Sequence, residues 1–399
     1  MRIASLFLVS FVALGARARE TVTLAIAAHE KERRYVLAEA PLPKNVAPPF
    51  VAKDKESGKT LPCQWDETML RVLIGAIPAG AKKSIAIEHG QAEKIPGMMV
   101  KDDPGGWISV QDPSHEITRY HTGALAEKHK KPFFYPLIGH GVNILREYPI
   151  GPGKEGEAKD HPHHTGMYHA FGDVNGKEYW SKTPIVPKKI LKKEGGPAYA
   201  RIVAENAWGD DLVETQDVVV LNAGEDAVVD WTITLKAANG PVVFGKDQKM
   251  AKEGSFALRV AAGMSMAKGD APDIMSDSKG NKGEKAIRGD TAPWVDYVAE
   301  VEGKKVGVTV MNHPSSFRYP TTWHARAYGL FAANPWYVTE AAEGAKKRGE
   351  NFDRVGQNTL APGESLTIRY RVYVHEGTST IGRVADVFEG YSFARAVAE

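Results

Sequence analysis

Hydrophobic and polar residues alternate along most of this chain with a period of two. Across 229–236, Val229, Trp231, Ile233 and Leu235 alternate with Asp230, Thr232, Thr234 and Lys236. Across 365–374, Leu366, Ile368, Tyr370, Val372 and Val374 share one face, opposite Thr367, Arg369, Arg371 and Tyr373. Asn222-Ala223-Gly224 turns 229–236 back onto 218–221, and Glu302-Gly303-Lys304 joins 297–301 to 306–311 as a second hairpin. A period of two places one face in a core and the other in water, which is the antiparallel case. So many strands of this kind imply sheets stacked face to face rather than a parallel α/β sheet.

The first hundred residues carry the same pattern in shorter runs, at 21–27, 34–39, 68–74 and 83–88. Pro41, Pro43, Pro48 and Pro49 interrupt them, and Pro78-Ala79-Gly80 adds a turn. Turn residues at Pro96-Gly97 and Asp103-Pro104-Gly105-Gly106 mark a junction over 91–106. The expected organisation is all-β: a small β-rich module over 19–100, then a large antiparallel β-sandwich over 101–399. One helix is expected at the C-terminus. There Ile381, Val384, Ala385 and Phe388 form a stripe, with Ser379 or Thr380 available as N-cap. Residues 273–290, rich in Lys, Gly, Ser and Asp, read as a long polar loop, and no solenoid or propeller repeat is present.

Residues 1–18 depart from the pattern. Arg2 precedes an apolar run over 3–14, and Ala16-Arg17-Ala18 has the small residues that a signal peptidase reads. Residues 1–18 are therefore expected to be a signal peptide cleaved after Ala18, with the rest exported to a periplasmic or extracellular space. The run is short for a bilayer span, and no later stretch approaches the ~18 apolar residues a spanning helix needs. Cys63 is the only cysteine, so an intrachain disulfide and cysteine-based zinc sites are excluded. A formal net charge of +2 without any basic run gives no electrostatic footprint for nucleic acid. Oligomeric state leaves no mark in the pattern.

Candidate chemistry gathers in three stretches. The first, 160–180, reads DHPHHTGMYHAFGDVNGKEYW and puts four of thirteen histidines, His161, His163, His164 and His169, within nine residues. If the segment is extended, His161, His163 and His169 point one way, and His164 and Tyr168 the other. His is only intermediate in burial and needs partners when buried, so such a run suits a site better than a core strand. Three uses are open: polar sugar binding with acid–base work, a divalent metal, or a hydrogen-bonded structural turn. The metal would be held by His161 and His163 with Asp160 or Asp173. Asn175-Gly176 closes the stretch as a turn.

The second stretch, 312–326, gathers His313, Tyr319, Trp323, His324 and Arg326 just after a confident strand. If extended, it puts His324 and Arg326 on one face and Trp323 on the other, a set suited to hydroxylated rings or as readily to anchoring a sheet corner. The third, 246–254, offers Asp247 or Glu253 as a carboxylate partner. Arg119, His121, His140 and Asn143 are weaker single candidates. No Walker loop, Gly-x-Gly-x-x-Gly, nucleophile elbow or His-Glu-x-x-His is present, so nucleotide-dependent and serine-hydrolase chemistry have no local support.

At Asp160-His161-Pro162-His163-His164, at Phe171-Gly172-Asp173-Val174-Asn175-Gly176 and at 321–335 (TTWHARAYGLFAANP) the chain resembles a bacterial family of unknown function, DUF6807. The resemblance covers roughly 107–374. The family's former label, methane oxygenase, denotes an integral membrane protein and does not suit a chain without a spanning segment. The resemblance implies a β-sandwich like that of galactose mutarotase, where sugars lie on a concave sheet lined by His, Arg and carboxylates. On that reading His163, His164, His324 and Glu253 are the catalytic candidates. Asp160, His161, His169, Asn175, His313, Trp323 and Arg326 are the substrate-binding ones. Two alternatives stand beside it: a non-catalytic sugar-binding protein, and a metal-dependent oxygenase or hydrolase ligated by His161 and His163. The sugar reading requires the first two stretches to meet over one hollow with a carboxylate between them.

Overall fold

A computed structural model describes residues 21–44, 46–91, 95–349 and 351–398. The expected signal peptide, 1–18, lies outside the described residues.

The alternating segments build two large sheets in which every paired strand is antiparallel. One has eight strands in the order Val186–Glu194, Tyr199–Trp208, Leu212–Leu221, Ala227–Ala237, Ser365–Glu376, Lys304–Asn312, Trp294–Val301 and Met275–Asp277. Its centre pairs Val229 with Val372, Trp231 with Tyr370 and Ile233 with Ile368, so apolar residues of neighbouring strands share rows. The other sheet runs Trp323–Ala325, Leu330–Ala333, Gly254–Arg259, Met167–Phe171, Phe133–Gly139, Glu116–His121, Trp107–Gln111 and Met99–Asp103, with Val142–Asn143 attached to Phe133–Gly139.

The two sheets stack through a chain of rings. Trp231 meets Phe134 edge-on at 4.9 Å and Phe256 at 5.2 Å, and Phe256 stacks on Tyr370 at 4.8 Å. Phe134 and Phe256 come from one sheet, Trp231 and Tyr370 from the other. All four are buried, and each such side chain contributes about 1.5–3 kcal/mol of burial free energy. The chain is thus the antiparallel β-sandwich that its alternation and its family resemblance imply.

Residues 21–89 form two smaller sheets, one of them Arg33–Pro41, Met69–Ile77 and Cys63–Trp65. They enclose a core of their own, including Leu24, Val36, Val72 and Ile85, which Ala396 from the far end of the chain also enters. The C-terminal strand Val397–Ala398 pairs with Thr21–Ile26, so both ends of the described chain meet in this module.

The C-terminal helix is present but starts later than its stripe predicts, at Val384–Ser392. Gly382 sits where a Cβ would come within 2.4 Å of the His375 ring, and Arg383 is left-handed at φ 52°, so helical geometry cannot run back to Ser379. The helix has no side-chain cap, and Ile381 lies outside it at 62% exposure. Val384 and Val387 are its buried apolar side chains, packed with Leu37, Leu73, Tyr199 and Tyr373 where module, sheet and helix meet. A second helix, Thr339–Arg348, was not signalled by periodicity. The polar segment 273–290 contains the short strand Met275–Asp277 and one helical turn, Glu284–Ile287.

Candidate functional site

The outward face of the larger sheet carries a short row of residues. His324 pairs with Ala332, Ala332 with Ala257, and Ala257 with Tyr168, so four neighbouring strands contribute one residue each. The two alanines keep the face low between a histidine and a tyrosine. One step along, Arg326 and Arg259 lie on the same face, because strand residues two apart share a side. Trp323 takes the opposite side, where its indole donates to the Ala292 carbonyl at 2.9 Å. The parity expected for Trp323, His324 and Arg326 is the one observed, and it removes Trp323 from any ligand.

Over this face lies the segment 160–166, which is not extended. His161 is left-handed at φ 43°, and Gly166 at φ 61° passes so close to the Phe134 carbonyl that a Cβ would sit 2.3 Å from it. The strand begins only at Met167. The turn brings His161, His163 and His164 to one side, against the parity of an extended segment. Their rings touch: His161 stacks on His164 at 4.9 Å, and His163 meets His164 edge-on at 4.5 Å.

His169, expected on the same side as His161 and His163 and as a substrate-binding residue, instead points away from them, into the sandwich. Its Nδ1 donates to Glu214 Oε1 at 2.6 Å and its Nε2 accepts from Ser255 Oγ at 3.1 Å, with His169 and Glu214 fully buried. Asn206 and Gln216 donate to the other Glu214 oxygen, completing a buried polar cluster. The strand Met167–Phe171 is buried on both faces, which is why a histidine there can serve the core.

A cleft of 600 Å³ opens between the loop, the sheet and the segment after Gln248–Ala251. His161, His163, His324, Arg326 and Glu253 all line it, so residues from all three candidate stretches converge on one hollow. Gly172 permits this, since a Cβ there would strike the Met250 carbonyl at 2.1 Å and push the third stretch away. Trp180 and Tyr328 supply aromatic surface. Tyr328 stacks on His161 at 5.2 Å and lies 4.8 and 5.0 Å from the guanidinium carbons of Arg259 and Arg326.

Asp160 ties the loop from beneath. One oxygen accepts from Arg146 and Arg259 at 2.7 Å each, and the other accepts His161 Nδ1 at 2.8 Å. Partial burial would raise its pKa, but Arg259, His161 and Arg146 overcome this and hold the carboxyl below its ordinary range. Asp160 is therefore a support of the cleft, and His161 presents Nε2 outward.

His324 is fixed as firmly. Its Nδ1 donates to the Lys252 carbonyl at 2.7 Å, and the Asn334 amide holds the adjacent Ala251 carbonyl at 2.8 Å. A carbonyl only accepts, so Nδ1 carries the proton and Nε2 is the free lone pair. Burial, then Arg326 and Arg288, push the His324 pKa down to about 3. Burial, then Lys131 and His161, push His163 to about 4, and His164, buried beside His163 and Arg259, falls well below its usual value. All three imidazoles are neutral at physiological pH. His163 offers a donor and an acceptor, whereas His324 has only the lone pair of Nε2 left and His164 only its Nε2 proton, and Glu253 is the one carboxylate among the acid–base candidates.

Several candidates stand elsewhere. Asn175 and Gly176, at φ 52° and 75°, form the expected turn, and Asn175 holds Val243 N and Asp211. Asp173 accepts from the amides of Gly176 and Asp247, and Asp247 caps Lys249 N. His313 bonds Ser315 and lines a separate groove beside Arg369 and Arg371. Arg119, His121, His140 and Asn143 are spent on Glu116, the Tyr135 carbonyl, Asp226 and the amides of Leu137 and Leu145. Among the described residues no three of His, Cys, Asp and Glu stand close enough to hold a metal, so His161 and His163 lack a third ligand.

Sequence reasoning missed the supports. Lys131 is buried, donates to the Trp180 carbonyl and lies 4.3 Å from the Tyr168 ring centre, and burial brings its pKa down to about 7. Arg146, Arg259 and Glu284, which accepts Arg326 Nε at 2.8 Å, are equally isolated in sequence. Tyr328 lies in the turn between Trp323–Ala325 and Leu330–Ala333, and its place within the 321–335 motif is the signal that could have found it.

The fold and cleft define an antiparallel sandwich protein with a polar, aromatic-flanked hollow on one sheet face. The model of a family described as a family of unknown function (DUF6807) matches residues 108–389, and the chain belongs to that family. No curated protein matches it. Among solved structures it is similar to a protein in glycosyl hydrolase family 38 from Enterococcus faecalis, with 11% identity and a TM-score of 0.44 over 95% of this chain and 47% of that one. It is also similar to an alpha-mannosidase from Enterococcus faecalis V583, with 12% identity and a TM-score of 0.39 over 95% and 46%. The chain spans about half the length of these proteins. No described helix is long and apolar enough to cross a membrane.

Proposed function

We propose that this is an exported carbohydrate-active protein that binds a sugar in the cleft of His161, His163, Glu253, His324 and Arg326. The observation that carries the reading is the meeting of three distant polar stretches beside two aromatic faces in one 600 Å³ hollow. His163 can meet a hydroxyl as donor and acceptor, His324 accepts through Nε2, and the part-exposed ring of Tyr328 suits the CH face of a sugar ring. Export is the expectation set by residues 1–18.

Glu253 moves the proton in this reading, while His163 and His324 orient hydroxyl groups. Hydrolysis with two carboxylates needs a second carboxylate about 5–10 Å away across the bond. Glu178 also lines the cleft, but its oxygens accept Ser181 N at 2.7 Å and Ser181 Oγ at 2.8 Å. One working carboxylate suits proton abstraction, as in epimerisation or elimination, better than hydrolysis.

A second reading, a sugar binder without turnover, has the depressed histidine pKa values in its favour. A glycan panel assayed for binding and for product, on wild type and Glu253→Gln, separates the two. Turnover by the wild type that falls about 10²–10⁴-fold in the variant, with binding kept, supports catalysis. Equal turnover in both removes Glu253 from the chemistry, and binding without product from either leaves the binder.

A further inference from the structure

Among the described residues, charges around the cleft do not balance. Lys182, Lys249, Lys252 and Arg326 line it, four cations, against Glu178 and Glu253 with Glu284 behind them, three carboxylates. Lys252 and Lys182 reach Glu253 and Glu178 only at 3.7 and 4.0 Å. Beneath the histidine loop the excess repeats: Arg146 and Arg259 share the single carboxylate Asp160, and Lys131 donates to a carbonyl instead of an acid. Buried cations are normally paired, because desolvation of an unpaired charge is costly. Their mutual repulsion also shows in Arg259, which burial and then Arg146 bring down to about 10.

Polar atoms in the same place lack partners. His164 Nε2 and Tyr168 Oη are buried and unbonded, below the loop that carries His161 and His163. Among the described residues Arg326 is committed to Glu284 through Nε alone, which leaves the two terminal amino groups of its guanidinium for a ligand. That fork matches two oxygens of a carboxylate or sulfate.

Resting on the carbohydrate reading above, we propose that the cleft takes an anionic sugar. A uronic acid carboxylate or a sulfate ester is gripped by the terminal amino groups of Arg326, with Lys249 and Lys252 adding positive potential. An acidic group completes the charge balance that the protein leaves open, and a neutral sugar does not.

The test is calorimetric titration of the full protein with matched oligosaccharides: a uronate and its carboxyl-reduced form, a sulfated glycan and its desulfated form. The acidic member of at least one pair should bind about 10- to 100-fold more tightly, the range of a charge-assisted bidentate contact. The pair that shows the difference distinguishes carboxylate from sulfate. Arg326→Gln, with its fold checked by thermal melting, should abolish the preference, so that the acidic and neutral members of the pair bind equally, and Lys252→Gln should reduce it severalfold. Neutral members binding as tightly as acidic ones overturn the anionic assignment and leave the carbohydrate reading standing. Binding of no glycan of either kind overturns the carbohydrate reading itself, and the anionic assignment with it.

Discussion

Two polar depressions on this molecule are built from the same residue types and differ in what they leave unpaired. The groove between the N-terminal module and the sandwich, 450 Å³, is lined by Arg71, Arg201, Arg369, Arg371, Glu39, Asp217, Asp230 and His313. There Arg371 holds both Asp230 oxygens at 2.6 and 2.8 Å, Arg201 holds both of Asp217 at 2.8 Å, and Arg71 takes Glu39 and Asp66 at 2.6 and 2.9 Å. The cleft over the other sheet has a cation excess, aromatic faces and unbonded buried atoms. A groove whose forks are already filled by carboxylates is a joint. A cleft whose forks are open is where a ligand belongs.

The largest effect should come from breaking the joint. Arg371 also donates to the Tyr35 carbonyl at 3.1 Å and lies over the Tyr391 ring at 4.6 Å, so it ties module, sheet and C-terminal helix together. Arg371→Leu leaves Asp230 without its partner in a largely buried place, and is expected to cost about 3–5 kcal/mol, read from urea denaturation. Glycan affinity of the folded fraction should not change. Lost affinity in a variant of undiminished stability would move the site to the groove and reverse the comparison.

Next in size is a pH effect located in the cleft. The His324 pKa is depressed in the folded protein, so between its unfolded value near 6.5 and its folded value of about 3 the unfolded chain binds more protons. Stability is therefore complete above that range and is lost as pH falls through it, by about 5 kcal/mol over the whole range and about 3 kcal/mol by pH 4 from this residue. His324→Gln should flatten the fall, checked by denaturation midpoints at several pH values between 7.5 and 4. Equal slopes in variant and wild type would mean that His324 is not held neutral. A smaller loss is expected from Asp160→Asn. Asp160 supports two arginines but is 39% exposed, so solvent screening reduces the cost to about 1–3 kcal/mol. Because the same carboxylate positions His161, glycan affinity should fall as well, unlike in the Arg371 variant.

How much of this was readable beforehand depended on the number of wet faces a strand has. Where one face is wetter, alternation gave both strand and side: Trp231, Ile233 and Leu235 inward, Thr232, Thr234 and Lys236 outward. On Met167–Phe171, buried on both faces, alternation carries no such information, and His169 could not be separated by pattern from its neighbours. The loop before it required φ values that only Gly166 announced, so three histidines turned to a side that period-two reasoning divides between two. The C-terminal stripe misplaced the helix start because periodicity cannot see Gly382 pressed against His375. Lys131, preceded by Lys130 and followed by Pro132, reads as a solvated turn, Arg146 reads as half of an Arg146-Glu147 surface pair, and Arg259 is a single charge in an apolar run. Their importance comes from meeting under one loop, which is a property of the fold.

The smallest effect sharpens the comparison most. Lys249 lines the cleft and has no ion-pair partner among the described residues, whereas Arg369 lines the groove beside paired neighbours. Neither Lys249→Gln nor Arg369→Gln should move stability by more than about 0.5 kcal/mol, as for ordinary surface substitutions. Only the Lys249 change should weaken binding of an acidic glycan, by about two- to threefold at low salt, because an exposed lysine acts through a screened field. Adding about 1 M salt shortens the screening length to about 3 Å and should erase the difference. Titrations of both variants at two ionic strengths decide it. An equal loss from both would mean that a diffuse field of the whole molecule attracts the ligand. A loss confined to Lys249 ties the attraction to the unbalanced cleft.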